Sequence, residues 1–298
     1  MLTLDTRVQL PYNLVYHIQH TLTGSMTVLA SAAPFRESEH LLMKNAVKAK
    51  LMQGLPSIGT WNMIGHPVVA EILAQAGFDW IALDLEHGSI DWPQAVSQMQ
   101  AIQGTGCVPL CRLPVNDPVH FKWALDAGAA GVIVPMVKSV EDARCAVASA
   151  KYPPLGIRGV GVCRAHGYGA GFEAYVRDAN DETLVVLQIE HIDAVNQIED
   201  ICRVDGVDAV FIGPYDLSGS MDLMGQTHHP EVEKAVTRVF RAARDAGIAA
   251  GLHIVDPRPN EITERVRDGF RFIAVGLDTL MLSKAMIALA TQGREAAV

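Results

Sequence analysis

Ala76-Gly77-Phe78-Asp79-Trp80-Ile81-Ala82-Leu83-Asp84-Leu85-Glu86-His87 holds one complete joint of the fold. Glycine is the natural residue just past a helix end, and Gly77 leads straight into an apolar run. That run, Trp80–Leu85, is nearly continuous in hydrophobicity, as expected of a strand covered on both faces. It closes on Asp84, Glu86 and His87, polar groups of the kind that line the carboxyl end of a parallel sheet. The opening phrase returns at Ala127-Gly128-Ala129, Ala246-Gly247-Ile248 and Asp268-Gly269-Phe270. Each time it separates a segment of helical length from a short apolar run.

Working outward, eight such runs are expected as strands: Ser57–Trp61, Trp80–Leu85, Val108–Leu113, Gly131–Val137, Leu184–Ile189, Ala209–Ile212, Ala249–Ile254 and Phe272–Val275. Amphipathic segments alternate with them, which is the rhythm of βα units around a parallel sheet. Eight strands over about 240 residues predict an α/β chain folded as a (β/α)8 TIM barrel. An open doubly wound sheet fits the count as well. Residues 1–46 stand outside the rhythm and are expected to form an N-terminal extension or arm on a single barrel domain, 47–298. Within the arm Tyr12 to Leu22 reads as a short helix and Gly24 to Glu39 as irregular.

Composition excludes several classes of function. The chain has 298 residues, 49% of them hydrophobic, enough for one large core. A formal charge of −9 opposes nucleic-acid binding, which needs clustered Lys and Arg. No apolar run approaches the roughly 20 residues that cross a bilayer. Ser25 to Pro34 ends in small residues but lacks the basic start of a secretion signal. The five cysteines, Cys107, Cys111, Cys145, Cys163 and Cys202, show no paired CxxC spacing, so reduced packing thiols and a cytoplasmic location are expected.

In a barrel the chemistry sits where strands end. There the sequence places Asp84, Glu86 and His87, then Arg112, Gln188 and Glu190, then Gly213-Pro214-Tyr215-Asp216, and finally His253 and Asp278. Glu190 and Asp216 close adjacent strands, and two carboxylates with open remaining positions suit a hard divalent ion. Capping of the next helix is the other use for such acids. Arg112 emerges at the mouth, free either to grip a carboxylate or enolate oxygen or to pair with Glu86 or Glu190. His87, with Asp84 three residues before it and Asp126 on a following helix, is a candidate proton carrier or a satisfied core histidine. The glycine-rich stretch from Tyr152 to Gly171 has neither GxGxxG nor GxxxxGK[ST] spacing, so it reads as an active-site or subunit-contact loop rather than a nucleotide cradle. No lysine ends any strand, and Lys138 is the nearest candidate, which disfavours Schiff-base chemistry.

Taken in order, Gly77-Phe78-Asp79-Trp80, Asp84-Leu85-Glu86-His87, Asn116-Asp117-Pro118, the Tyr-Pro-Pro-x-Gly-x-Arg-Gly-Val-Gly run at 152–161, Gln188-Ile189-Glu190, Gly213-Pro214-Tyr215-Asp216-Leu217-Ser218 and His229-Pro230-Glu231-Val232 make a series. It resembles the HpcH/HpaI-type class II pyruvate aldolases, the 4-hydroxy-2-oxo acid aldolases, over residues 47–293. The resemblance implies a barrel lyase in which Glu190 and Asp216 hold Mg2+, Mn2+ or Co2+. By the same carry-over Arg112 steadies the pyruvyl oxygen and Gln188, with Tyr215 and Asp216, positions pyruvate. His87, supported by Asp84 and Asp126, moves the proton. It also implies a homo-oligomer, commonly a hexamer built from swapped C-terminal helices. Tyr215 stands where many relatives carry a small residue, which leaves the aldehyde partner open. Related readings are a citrate-lyase-like enzyme acting on CoA thioesters, an oxaloacetate decarboxylase, or a barrel kept as a scaffold. The acidic composition weighs against a CoA groove.

Overall fold

A computed structural model of the chain describes residues 44–297 in full and, before them, the backbone of three strands. These are β1 (Asp5–Gln9), β2 (Val15–His20) and β3 (Met26–Ser31), an antiparallel sheet in the order β1-β2-β3. They belong to a unit spanning Met1–Leu42. Within the stretch Tyr12 to Leu22 expected as a helix, Val15–His20 is therefore corrected to strand, and the rest lies outside the described residues. Val15, Tyr16 and Ile18 are β-branched or aromatic, and pairing on both sides supplies the hydrogen bonds a short helix would have provided. β3 likewise falls within the stretch expected to be irregular, the rest of which lies outside the described residues.

The second unit, Met43–Val298, is built on β4 (Ser57–Asn62), β5 (Trp80–Asp84), β6 (Val108–Arg112), β7 (Gly131–Val134), β8 (Leu184–Ile189), β9 (Ala209–Ile212), β10 (Ala249–Ile254) and β11 (Phe272–Leu277). All pair in parallel with their sequence neighbours, and β11 pairs with β4. The sheet thus closes into the expected (β/α)8 barrel, and the open-sheet alternative falls. Period-two alternation sorts the side chains into two cores. Inside the barrel lie Trp61, Trp80, Leu110, Val186, Phe211 and Phe272, whereas Ile81, Leu83, Cys111, Leu187 and Ile212 face the surrounding helices. The Trp80 and Phe272 rings stack with centroids 4.2 Å apart. Gly59 makes the room, since a Cβ there would lie 2.0 Å from the indole.

The helix Ala46–Met52 stoppers the amino-terminal end of the barrel. Its Val47 and Leu51 join the interior core. Around them Asn45 Nδ2 donates to the Ala130 and Glu182 carbonyls, Lys48 pairs with Asp208 at 3.0 Å and Lys50 with Asp79 at 2.6 Å, all residues that precede strands. The opposite, carboxyl-terminal end is left for chemistry. Two of the strand-end groups there are structural. Asp278 is buried and accepts from the Met63, Ile64 and Thr279 backbone N–H groups, tethering the loop after β4. His253 donates through Nε2 to the Gly276 carbonyl at 3.0 Å, and burial pulls its pKa down to about 4, so it stays neutral. Among the described residues no helix is long and apolar enough to cross a membrane.

Candidate active site

Inward-facing positions at the ends of β5, β6 and β8 carry Asp84, Arg112 and Gln188, and Glu190 follows directly after β8. Asp84 is 1% exposed. Its carboxylate takes a two-pronged grip from Arg112, Nε to Oδ1 at 2.9 Å and Nη2 to Oδ2 at 2.5 Å. Oδ1 also accepts from the Glu86 and His87 backbone N–H groups, both at 3.1 Å, which sets the turn after β5. The guanidinium lies over the Trp61 ring, 4.4 Å from its centroid, and Nε is 3.4 Å from Glu86 Oε2. Of the five N–H bonds of Arg112, Asp84 occupies two, so three remain, the Nη1 pair among them.

Glu190 is 3% exposed and held at both oxygens. The Met136 N–H donates to Oε1 at 2.7 Å, and Gln188 Nε2 donates to Oε2. Burial raises its pKa; the two hydrogen bonds and Arg112 oppose the rise, and nearby Asp216 adds to it. Gly213 fits the space beside it, because a Cβ there would come within 2.9 Å of Oε2. Asp216 sits in the first turn of the helix Pro214–Ser220, and with its neighbour Tyr215 is exposed at the mouth.

Not every expected partnership forms. The His87 ring is largely exposed, and its only acidic neighbour at ion-pair distance among the described residues is Glu86, 3.9 Å from Nε2. Asp84 meets Arg112 instead of that ring. Asp126 pairs with Arg158 at 2.7 Å, because that guanidinium is wholly buried against Tyr152 and Tyr175 and needs a counter-charge. Asp84 and Asp126 are thus not the side-chain supports of His87 within one chain that the sequence led us to expect. Glu86 is the residue the sequence reading underrated. Its Oε2 is buried without a hydrogen-bond partner, and burial, together with Glu190, Asp84 and Asp216, outweighs Arg112 to push its pKa up to about 7. Its signal was present in the inward phase of the strand-end motif, but its weight depends on three acids that only the closed barrel assembles.

The donor set suits a divalent cation. Glu190 and Asp216 offer hard oxygen atoms, and Gln188 leaves a buried Oε1 unpartnered beside them. Among the described residues no three His, Cys, Asp or Glu side chains form a complete cage, so the pair would leave coordination positions to water and substrate oxygens.

The family model for HpcH/HpaI aldolase/citrate lyase matches residues 57–285, the whole barrel from β4 into the last helix. The chain belongs to this family. Among HpcH/HpaI relatives, a 4-hydroxy-2-oxo-heptane-1,7-dioate aldolase of Klebsiella pneumoniae subsp. pneumoniae is 42% identical over 253 residues, 84% of this chain and 94% of the relative. The crystal structure of a HpcH/HpaI aldolase/citrate lyase family protein from Burkholderia cenocepacia superposes with a TM-score of 0.79 at 34% identity, covering 84% of this chain and 99% of that one. A HpcH/HpaI aldolase from Desulfitobacterium hafniense gives 0.77 at 34% identity, covering 83% and 96%.

Proposed function

We propose that this chain is a divalent-metal-dependent class II aldolase that reversibly cleaves a 4-hydroxy-2-oxo acid into pyruvate and an aldehyde. One observation carries the reading. A buried carboxylate, Glu190, lies close enough to the exposed acid Asp216 to feel its charge, beside a cation, Arg112, that is already locked by Asp84. Glu190 and Asp216 hold the cation, which when bound supplies Lewis-acid stabilisation of a keto oxygen and is of the Mg2+, Mn2+ or Co2+ kind.

The residues of the chain do the rest. Arg112 directs its free N–H groups at the pyruvyl oxygen, held in place by Asp84 and Trp61. Gln188 and the backbone at Tyr215 and Asp216 orient the 2-oxo acid. In the cleavage direction His87 takes the proton of the 4-hydroxyl. The C3–C4 bond then breaks, the aldehyde carbonyl forms, and the electron pair passes into a pyruvate enolate whose oxyanion Arg112 stabilises. Return of the proton to C3 gives pyruvate. The Tyr215 ring, standing at the rim, forms part of the wall that selects the aldehyde.

The protein acts as a homo-oligomer in this reading. The helix Asp278–Glu295 buries only Asp278 in its own chain and presents Leu282, Met286, Ile287 and Leu289 outward, a face suited to a second copy. Incubating metal-loaded protein with pyruvate and a panel of aldehydes, with and without chelator, tests the activity. Aldol products that vanish with chelator are expected, and chelator-insensitive turnover would overturn the class II assignment.

A further inference from the structure

Met136 has no part in the chemistry above, yet its backbone is in the left-handed region, with φ of +51°. Three other described non-glycine residues share that region: Tyr168, Asp222 and Asn260. Asp and Asn tolerate it through their short polar side chains, whereas methionine gains nothing from it locally. The Tyr168 and Asp222 N–H groups satisfy carbonyls close by in the chain, those of Cys163 and of Gly219 near the end of a helix. Met136 is different. Its N–H donates at 2.7 Å to Oε1 of Glu190, the residue just past the neighbouring strand β8.

The local chain explains how the conformation is held. Pro135, just after β7, fixes the approach, and Pro135 and Val137 are both buried on either side of Met136. The methionine side chain itself is 42% exposed and makes no hydrogen bond that would hold the turn. With Gln188 on Oε2, the Met136 N–H completes a two-point hold on a carboxylate that is otherwise buried. Backbone strain kept at such a place is a common sign that the geometry, not the side chain, is what matters.

We propose that Met136 is a positioning residue whose left-handed backbone clamps the Glu190 carboxylate and so fixes the lone pairs it offers to a divalent cation, the thioether being incidental. This rests on the reading of Glu190 as a metal ligand. Mn2+ binding to metal-stripped protein, followed by titration calorimetry, separates the two ideas when wild type is compared with Met136→Gly, Met136→Val and Glu190→Gln. Glycine adopts positive φ freely and a β-branched residue resists it, although both lose the thioether. Met136→Gly should bind Mn2+ like wild type, and Met136→Val about 10- to 100-fold more weakly, the usual effect of disturbing an outer-shell partner. Melting of the metal-free variants checks that each is folded, and Met136→Thr repeats the β-branched test should the valine variant not fold. Equal affinities, or equal losses, in the glycine and β-branched variants would overturn the clamp alone. Wild-type affinity in Glu190→Gln would overturn the ligand assignment and the clamp with it.

Discussion

Replacing Asp84 with Asn should lower both the stability of the barrel and its turnover, through Arg112. Asp84 is buried and Arg112 nearly so, and the substitution removes the negative charge from a two-pronged ion pair. Breaking such a pair by removing one partner costs about 3–5 kcal/mol. The lower end applies here, because the asparagine oxygen still accepts one hydrogen bond and Arg112 keeps Glu86 at 3.4 Å and the Trp61 ring. A loss of about 3 kcal/mol in a domain of this size lowers the melting temperature by about 6–12 °C, which thermal unfolding followed by circular dichroism reads directly. A guanidinium free to swing no longer presents its donors to the developing oxyanion, so kcat should fall by about 100- to 1000-fold. Double-mutant cycles then locate the partner. Asp84→Asn should be strongly non-additive with Arg112→Lys. An Asp84→Asn protein that melts within about 2 °C of wild type and turns over normally would refute the reasoning.

Glu86 provides a pH-dependent test. In the metal-free protein its pKa lies near 7 against an ordinary value of 4.5, so the folded state binds this proton more tightly than the unfolded chain. Its contribution to stability is complete below pH 4.5 and is lost as pH rises through 7, and Glu86→Gln should flatten the melting-temperature profile across that window. Metal binding at pH 7 should also expel protons, a release seen by calorimetry in buffers of different ionisation enthalpy and diminished in the same variant. Gly213→Ala drives a methyl to 2.9 Å from Glu190 Oε2, and should weaken metal binding while the fold persists; unchanged Mn2+ affinity would show that Glu190 has room to move. Gly59→Ala meets the rigid Trp80 ring at 2.0 Å, so the cost should reach or exceed the usual 1–3 kcal/mol of overpacking, measured as loss of soluble protein or of melting temperature.

Much of this architecture was legible because burial on both faces writes a strand as a continuous apolar run. Leu184–Ile189, Ala209–Ile212 and Ala249–Ile254 have the expected bounds. Where the expected strands overran, as from Val134 to Val137, Pro135 and the turned Met136 end the pairing although the hydrophobicity continues. The β strands near the start went unread because Tyr12 to Leu22 is too short for its periodicity to separate helix from strand. Within the site, residue types at strand ends were enough to single out Arg112, Gln188, Glu190 and Asp216. Pairings were not, since they depend on which charges end up buried. Arg158 takes Asp126, and Arg112 takes Asp84, for reasons that three-dimensional packing alone decides.

With Ala46–Met52 closing the amino-terminal end of the barrel and the Trp80–Phe272 stack filling its interior, ligands reach the strand carboxyl ends from one side among the described residues. Everything that enters must leave past what entered later. In the proposed reaction, with pyruvate held deeper by Arg112 and Gln188 and the aldehyde nearer the exposed Tyr215, traffic would form a queue: in cleavage the aldehyde would depart first, and in synthesis pyruvate would arrive first. Product-inhibition kinetics would register that order as competition between pyruvate and the hydroxy-oxo acid for the free enzyme, with the aldehyde inhibiting noncompetitively.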